Sequence, residues 1–247
     1  MRKDFLIDKN ILITGATAGI GKSLTYYLSE NGSNTLMLSK DESMLDSIYD
    51  EIVNKYKTDP CILKCDLENL NEDGASEIKK IICENYESID AVIFNAAILE
   101  KMSDIESFDL KTWEKILKVN LTSVFLITKN LIPLLKESSN PRIIYTTSSV
   151  GKKGQAFWGA YSVSKAGLNA LSEIIADEVE SVSKIKVFNF DPKATQTKMR
   201  SLAYPAENPN KLKNPNELME YYSWMLSDES SSSNKTLIEF GDMSELI

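Results

Sequence analysis

Residues 11–21 read ILITGATAGIG, a short β-rich run that breaks directly into a glycine-rich turn. Helical periodicity follows over 19–31, so the chain passes from strand to helix on Gly15, Gly19 and Gly21. Gly15 would permit the tight turn and Gly19 would let backbone approach a pyrophosphate. Gly21 would let the new helix pack on the sheet and aim its first amides at the phosphates. Thr17, Ala18 and Ile20 complete this candidate dinucleotide contact. The spacing differs from GxGxxG, and glycine-rich strand-to-helix turns without a ligand are common. Position in the first βα turn is what favours a dinucleotide.

The same alternation runs down the chain. β-rich runs at 11–14, 35–39, 61–65, 91–95, 142–148 and 186–190 are separated by amphipathic stretches at 19–31, 41–57, 72–86, 110–137 and 160–182. Strands separated by helices of this length imply right-handed crossovers and a parallel sheet covered on both faces. The expected architecture is α/β: a Rossmann-type doubly wound three-layer α/β/α sandwich with a mainly parallel seven-stranded sheet. One domain spans 1–247, with TLIEF (236–240) as the last strand after a solvated serine loop at 227–234. Pro205, Pro209 and Pro215 break up the region after 200, which suggests a substrate-covering loop around 196–214.

Bulk properties narrow the function classes. Hydrophobic residues make up 43% of the 247, enough for a sizeable core, and the net charge of -8 argues against a nucleic-acid partner. Cys61, Cys65 and Cys83 fit no zinc pattern in a chain without histidine, so no metal is expected and the three read as reduced core thiols of a cytoplasmic protein. MRKDFLIDKN at the start carries Asp4 and Asp8 in place of a long apolar stretch, and AVIFNAAIL (91–99) is too short to span a bilayer, so neither a secretory signal nor a membrane partner is expected.

About 20 residues beyond a dinucleotide turn, a carboxylate ordinarily accepts the ribose 2′-hydroxyl, whereas a basic side chain accommodates a 2′-phosphate. Here the second strand ends in Ser39 and Lys40, which favours NADP(H) with NAD(H) possible; a solvated loop lysine is the plain alternative. Asp41 fits as the N-cap of the next helix.

The fifth β-rich run closes with YTTSSVG (145–151), and YSVSK (161–165) follows. If both lie at the carboxyl ends of the sheet, Ser148 and Tyr161 converge in the crevice where open α/β sheets bind ligands. A free phenol titrates near 10, and Lys165, one helical turn away, would favour the phenolate electrostatically. Taken singly, a Tyr and a Lys at this spacing are an ordinary surface pair, Ser148 is a strand-end hydroxyl, and Asn120 in KVNLTSVF is a helix-interior misfit. Their conjunction on successive elements is what points to proton transfer.

TGATAGIG (14–21), Asp66 in CDLE, FNAA (94–97), Asn120, Ser148 and YSVSK together resemble the successive signatures of the short-chain dehydrogenases/reductases. The segment from 191 onward, DPKATQTKMRSLAYP, is similar to a YciK-like bacterial subgroup. The resemblance implies Tyr161 as acid/base, Lys165 lowering its pKa and binding the nicotinamide ribose, Ser148 orienting substrate, and Asn120 holding a water that links Lys165 to solvent. It further implies adenine contacts from Asp66 and Leu67, Asn95 beneath the ribose with Ala96 and Ala97 beside it, and Pro192, Thr195 and Thr197 fixing the nicotinamide amide. A homodimer or homotetramer through 110–137 and 160–182 is implied by analogy.

Two positions depart from the pattern. Ala97 stands where a glycine is common, and Lys193 follows Pro192 where glycine is common; it would either reshape the pocket or reach toward an anionic substrate group, and a lysine pointing into solvent is the simpler expectation. Pocket residues are expected from 151–158 and 198–214, with Gln155, Phe157, Trp158, Met199 and Tyr204 forming a mixed cavity and Lys152, Lys153, Lys198 and Arg200 near its mouth. The resulting expectation is an NADP-preferring enzyme that interconverts a small-molecule carbonyl and a secondary alcohol through Tyr161. Its rivals are an NAD-dependent alcohol dehydrogenase, a non-catalytic dinucleotide sensor, and a scaffold that keeps only the fold.

Overall fold

The computed structural model describes residues 3–246. Strands β1 (Asn10–Thr14), β2 (Asn34–Ser39), β3 (Cys61–Lys64), β4 (Ala91–Phe94), β5 (Arg142–Thr146), β6 (Lys186–Asp191) and β7 (Leu237–Glu239) form one sheet in the order β3-β2-β1-β4-β5-β6-β7. All six pairings are parallel, so the seventh strand is parallel too. Strand order reverses between β1 and β4, which opens a crevice at the carboxyl ends of those strands.

Helices α1 (Gly19–Glu30) and α2 (Glu42–Lys55) lie on one face; α3 (Glu72–Asn85), α4 (Leu110–Leu117) and α5 (Ser123–Leu135) lie on the other. A short α6 (Ser149–Lys152) precedes the long α7 (Gly159–Glu180), and α8 (Lys198–Ala203) and α9 (Met219–Leu226) follow β6. Side-chain alternation along each strand divides the apolar residues between two cores. Ile11 and Ile13 of β1 meet Leu24 and Leu28 of α1 with the Tyr221–Leu226 run of α9. Leu12 faces the other way, into a core with Ile82, Ile127 and Leu168.

Three expectations need correction. The 110–137 segment is not one helix: a π-helical turn at Lys118–Thr122 separates α4 from α5. Asn120 sits in that turn, its carboxamide accepting from Ile98 N at 2.8 Å and donating to Ile98 O at 2.9 Å, so main-chain bonds to the loop after β4 reward the local widening. The serine cluster is not simply solvated, because Ser230 is fully buried and accepts from the Arg142 side chain at 3.3 Å. Cys83 is exposed and Cys61 and Cys65 only partly buried, so the thiols flank the core without filling it.

Candidate active site

The turn after β1 is shaped by what glycine lacks. A Cβ on Gly21 would stand 2.1 Å from the Gly15 carbonyl oxygen, and Gly15 itself has a φ of +68° with Ala96 backbone 3.1 Å from where its Cβ would lie. Any side chain at either place would push the turn away from α1 and close the space in front of its first amides. The Thr14 hydroxyl accepts from the amides of Asn95 and Ala96, both at 3.0 Å, which fixes the β4 loop beside the turn.

The resulting cleft, about 950 Å³, crosses the sheet at the β1/β4 reversal. Among the predicted residues, Gly15, Thr17, Ala18, Gly19 and Ile20 line one end with Ser39 and Lys40, and Asp66 and Leu67 lie alongside. Asn95, Ala96 and Ala97 line the middle, and Ser148, Tyr161, Lys165, Pro192, Thr195 and Thr197 the other end. Gly21 and Asn120 do not line it: Gly21 supports the turn from below, and Asn120 is buried, donating to Ser164 at 3.2 Å.

At the β2 end, the Thr17 and Ser39 hydroxyls are 2.8 Å apart, which holds the glycine turn against the strand end. Asp41 caps α2 by accepting from Met44 N, as expected, and so is committed to the helix. Lys40 is exposed at the rim, and Lys22 of α1 joins it there, a cation that spacing alone had not singled out. The glycine turn and the α1 amino terminus, with these two ammonium groups at the rim, suit the phosphates of a dinucleotide.

At the opposite end, Tyr161 and Lys165 are both buried on α7. Lys165 Nζ lies 5.7 Å from the Tyr161 ring centroid and donates to the Thr146 carbonyl at 2.7 Å. Burial pushes the phenol's pKa above its ordinary value, with the Asp191 charge adding to the rise, so Lys165 does not lower it as expected. Burial also presses Lys165 down to about 8, partly opposed by Asp191. The arrangement is therefore a phenol that holds its proton next to an ammonium close to giving one up.

The outer wall is aromatic. Trp158 packs against Tyr161 and Tyr204 at centroid separations of 5.6 and 6.1 Å, and Met199 and Gln155 also face the cleft. Phe157 does not; it is exposed, with a φ of +72°. Arg200 stacks 3.8 Å over the Tyr204 ring and binds Glu207 through two nitrogens at 2.6 and 2.8 Å, so it ties its own loop together. Lys152 and Lys153 lie off the cleft, Lys152 being bonded to Glu239. Lys193, expected in solvent, is bonded to Asp191 at 3.0 Å and Glu239 at 2.6 Å, and its φ of +54° is the left-handed conformation that suits the glycine common at this position. Asp191 lines the cleft and was missed because a single carboxylate ending a strand carries no sequence pattern. Among the described residues, no group of three or more potential ligands could hold a metal ion, and no helix is long and apolar enough to cross a membrane.

Residues 9–208 match the family model for short chain dehydrogenase. The chain is 31% identical over 229 residues to the uncharacterized oxidoreductase YciK of Escherichia coli K12, covering 93% of this chain and 90% of that protein. It superposes with a TM-score of 0.93 and 30% identity on a short chain dehydrogenase of Escherichia coli CFT073 complexed with NADPH, covering 97% and 99% of the two chains. A short chain dehydrogenase of Shigella flexneri complexed with NADP gives 0.92 and 30%, covering 96% and 98%. The chain belongs to the short-chain dehydrogenase family of NAD(P)-dependent oxidoreductases.

Proposed function

We propose that the protein is an NADPH-preferring carbonyl reductase that converts a small carbonyl compound to a secondary alcohol, with Tyr161 as proton donor. The observation that carries this reading is the pairing of a buried, proton-retaining Tyr161 with Lys165 at one end of a cleft whose other end bears Lys40 and Lys22. When bound, the nicotinamide supplies the hydride. Gly15 to Gly21 and the α1 amino terminus would hold the pyrophosphate, Lys40 and Lys22 would meet a 2′-phosphate, Asp66 and Leu67 the adenine, and Pro192, Thr195 and Thr197 the nicotinamide end.

Tyr161 gives its proton to the substrate oxygen while Ser148 holds that oxygen, and the Lys165 ammonium stabilises the phenolate charge as it develops. Asn120 acts from behind, fixing the β4 loop through Ile98. The reductive direction suits a phenol whose pKa is raised, because it arrives at the reaction protonated. Trp158, Tyr204 and Met199 suit an apolar or aromatic group on the substrate, and α8 with the 196–214 segment covers it. Exposed Phe125, Val163 and Ile174 on α5 and α7 suit a homodimer or homotetramer built on those helices.

The test is a screen of aryl and alkyl ketones and their alcohols with NADPH and NADH, repeated with Tyr161→Phe. Turnover with NADPH that is lost in the variant supports the reading. Tight NADPH binding without turnover of any compound would leave a dinucleotide sensor in its place.

A further inference from the structure

Asp191 ends β6 with its side chain 2% exposed. Alternation along the strand sends Phe188 and Phe190 to the α9 face, against Trp224, Tyr221 and Tyr222. Asn189 therefore points to the α7 face, where it donates to Ser172 at 2.5 Å, and Asp191 points the same way one strand repeat closer to the cleft. Lys165 precedes Ser172 by two turns of α7, and so meets the same end of the sheet. The two are linked through the backbone as well: Lys165 donates to the Thr146 carbonyl, and the next residue, Thr147, donates its amide to Phe190 O at 2.7 Å, directly before Asp191.

Both oxygens of the Asp191 carboxylate are taken by one residue. Lys193 donates its amide to Oδ1 at 2.9 Å and its ammonium to Oδ2 at 3.0 Å, a chelate that the left-handed backbone at Lys193 makes possible. The same ammonium reaches Glu239 of β7, which also holds Lys152 of α6. The charged and titratable groups acting around Asp191 are therefore Tyr161 and Lys165 of α7, Lys193, Lys213 of the 196–214 segment and, through Lys193, Glu239.

We propose that Asp191 is a positioning residue acting through Lys165: its carboxylate keeps the Lys165 ammonium charged beside Tyr161, and Lys193 limits how much of that negative charge the cleft feels. Desolvation disfavours the charged form of so buried a lysine, and a carboxylate lining the same cleft offsets part of that cost. An unshielded carboxylate would also oppose the phenolate that Tyr161 must become, so the cation at 193 balances one demand against the other. This inference rests on Tyr161 and Lys165 being the acid/base pair.

The experiment is a pH titration of the Lys165 side-chain resonance in the full chain labelled with 13Cε-lysine, assigned with Lys165→Arg, run without cofactor. The wild-type midpoint is expected at about 8. Asp191→Asn lowers that midpoint by about one unit, and Lys193→Gly, which also relieves the left-handed backbone, raises it. The alkaline limb of kcat/KM for reduction follows in the same two directions, a pattern that a merely structural role would not produce. An unmoved Lys165 midpoint in both variants overturns the proposal; if Asp191→Asn does not fold, an unmoved midpoint in Lys193→Gly overturns it alone. Shifted midpoints in a protein that turns over no carbonyl would leave the electrostatic coupling standing and remove the acid/base reading.

Discussion

Lys165 hangs from the end of β5, its ammonium donating to the Thr146 carbonyl at 2.7 Å from within a buried stretch of α7. Burial is the stronger of the two influences on it and brings its pKa down to about 8, against which Asp191 pulls upward. The charged form is therefore present below that pH and lost as pH rises through it. Tyr161 is shifted the other way and keeps its proton across the whole range. We expect kcat/KM for the cofactor in the reductive direction to fall above about 8, the limb belonging to Lys165. A limb first appearing at about 10 or beyond would assign the loss to the phenol instead.

Removing the phenol hydroxyl separates chemistry from architecture. In Tyr161→Phe the ring keeps its contact with Trp158, 5.6 Å between centroids, so the cleft wall survives. The proton donor is gone, and general acid catalysis of this kind accounts for roughly 10²- to 10⁴-fold in rate. The expected result is a kcat loss in that range with NADPH affinity within about tenfold of wild type, since one missing hydroxyl removes at most a single hydrogen bond. Single-turnover kinetics and a binding titration check the two halves separately. A variant with near-normal kcat would move the proton donor elsewhere in the cleft.

Cofactor choice is expected to rest on the rim of β2. Lys40 is exposed there, and Ser39, hydrogen-bonded to the Thr17 hydroxyl at 2.8 Å, stands at the strand end where a carboxylate would accept a ribose 2′-hydroxyl. Lys40→Ala should weaken NADPH by about tenfold, equivalent to about 1.4 kcal/mol, and leave NADH unchanged, with the difference shrinking as salt is raised. Ser39→Asp should favour NADH by repelling the 2′-phosphate. Equal losses for both dinucleotides would place the selecting cation at Lys22 or elsewhere.

How much of this could be read from sequence follows from how local each interaction is. The glycine turn, the strands and the Asp41 cap carry local signals a few residues long, and their positions are legible in the sequence to within a residue or two. The break at Lys118–Thr122 was not legible, because its cause is a pair of bonds from Asn120 to the main chain of Ile98, 22 positions earlier. Lys193 was noticed as a departure, yet its environment depends on Glu239, 46 positions away, and on a strand end that buries Asp191. The lowered pKa expected for Tyr161 failed for a related reason: the spacing to Lys165 is visible in sequence, but the desolvation and the Asp191 charge that raise it are properties of the packed cleft.

Arg142 tests a part of the fold remote from the chemistry. It begins β5, at the opposite end of that strand from Ser148, and is buried. Its guanidinium donates to the carbonyls of Pro141 (3.1 Å), Met225 (3.0 Å) and Ser227 (3.0 Å), and to the hydroxyls of Ser230 and Ser231. It thereby terminates α9 and the serine-rich turn after it, and burial, partly opposed by the Asp228 charge, presses it down to about 10. Arg142→Leu removes the charge but leaves the Met225 and Ser227 carbonyls without that donor, each such loss costing about 1–3 kcal/mol. At roughly 2–4 °C per kcal/mol for a chain of this size, the melting temperature should drop by about 4 °C at the least. The rate per folded molecule should not change, because none of the side chain's hydrogen-bond partners lines the cleft. An unaltered melting temperature would mean that water replaces the guanidinium at no cost; a lowered kcat at full folding would mean that the β5 register carries the effect to Ser148.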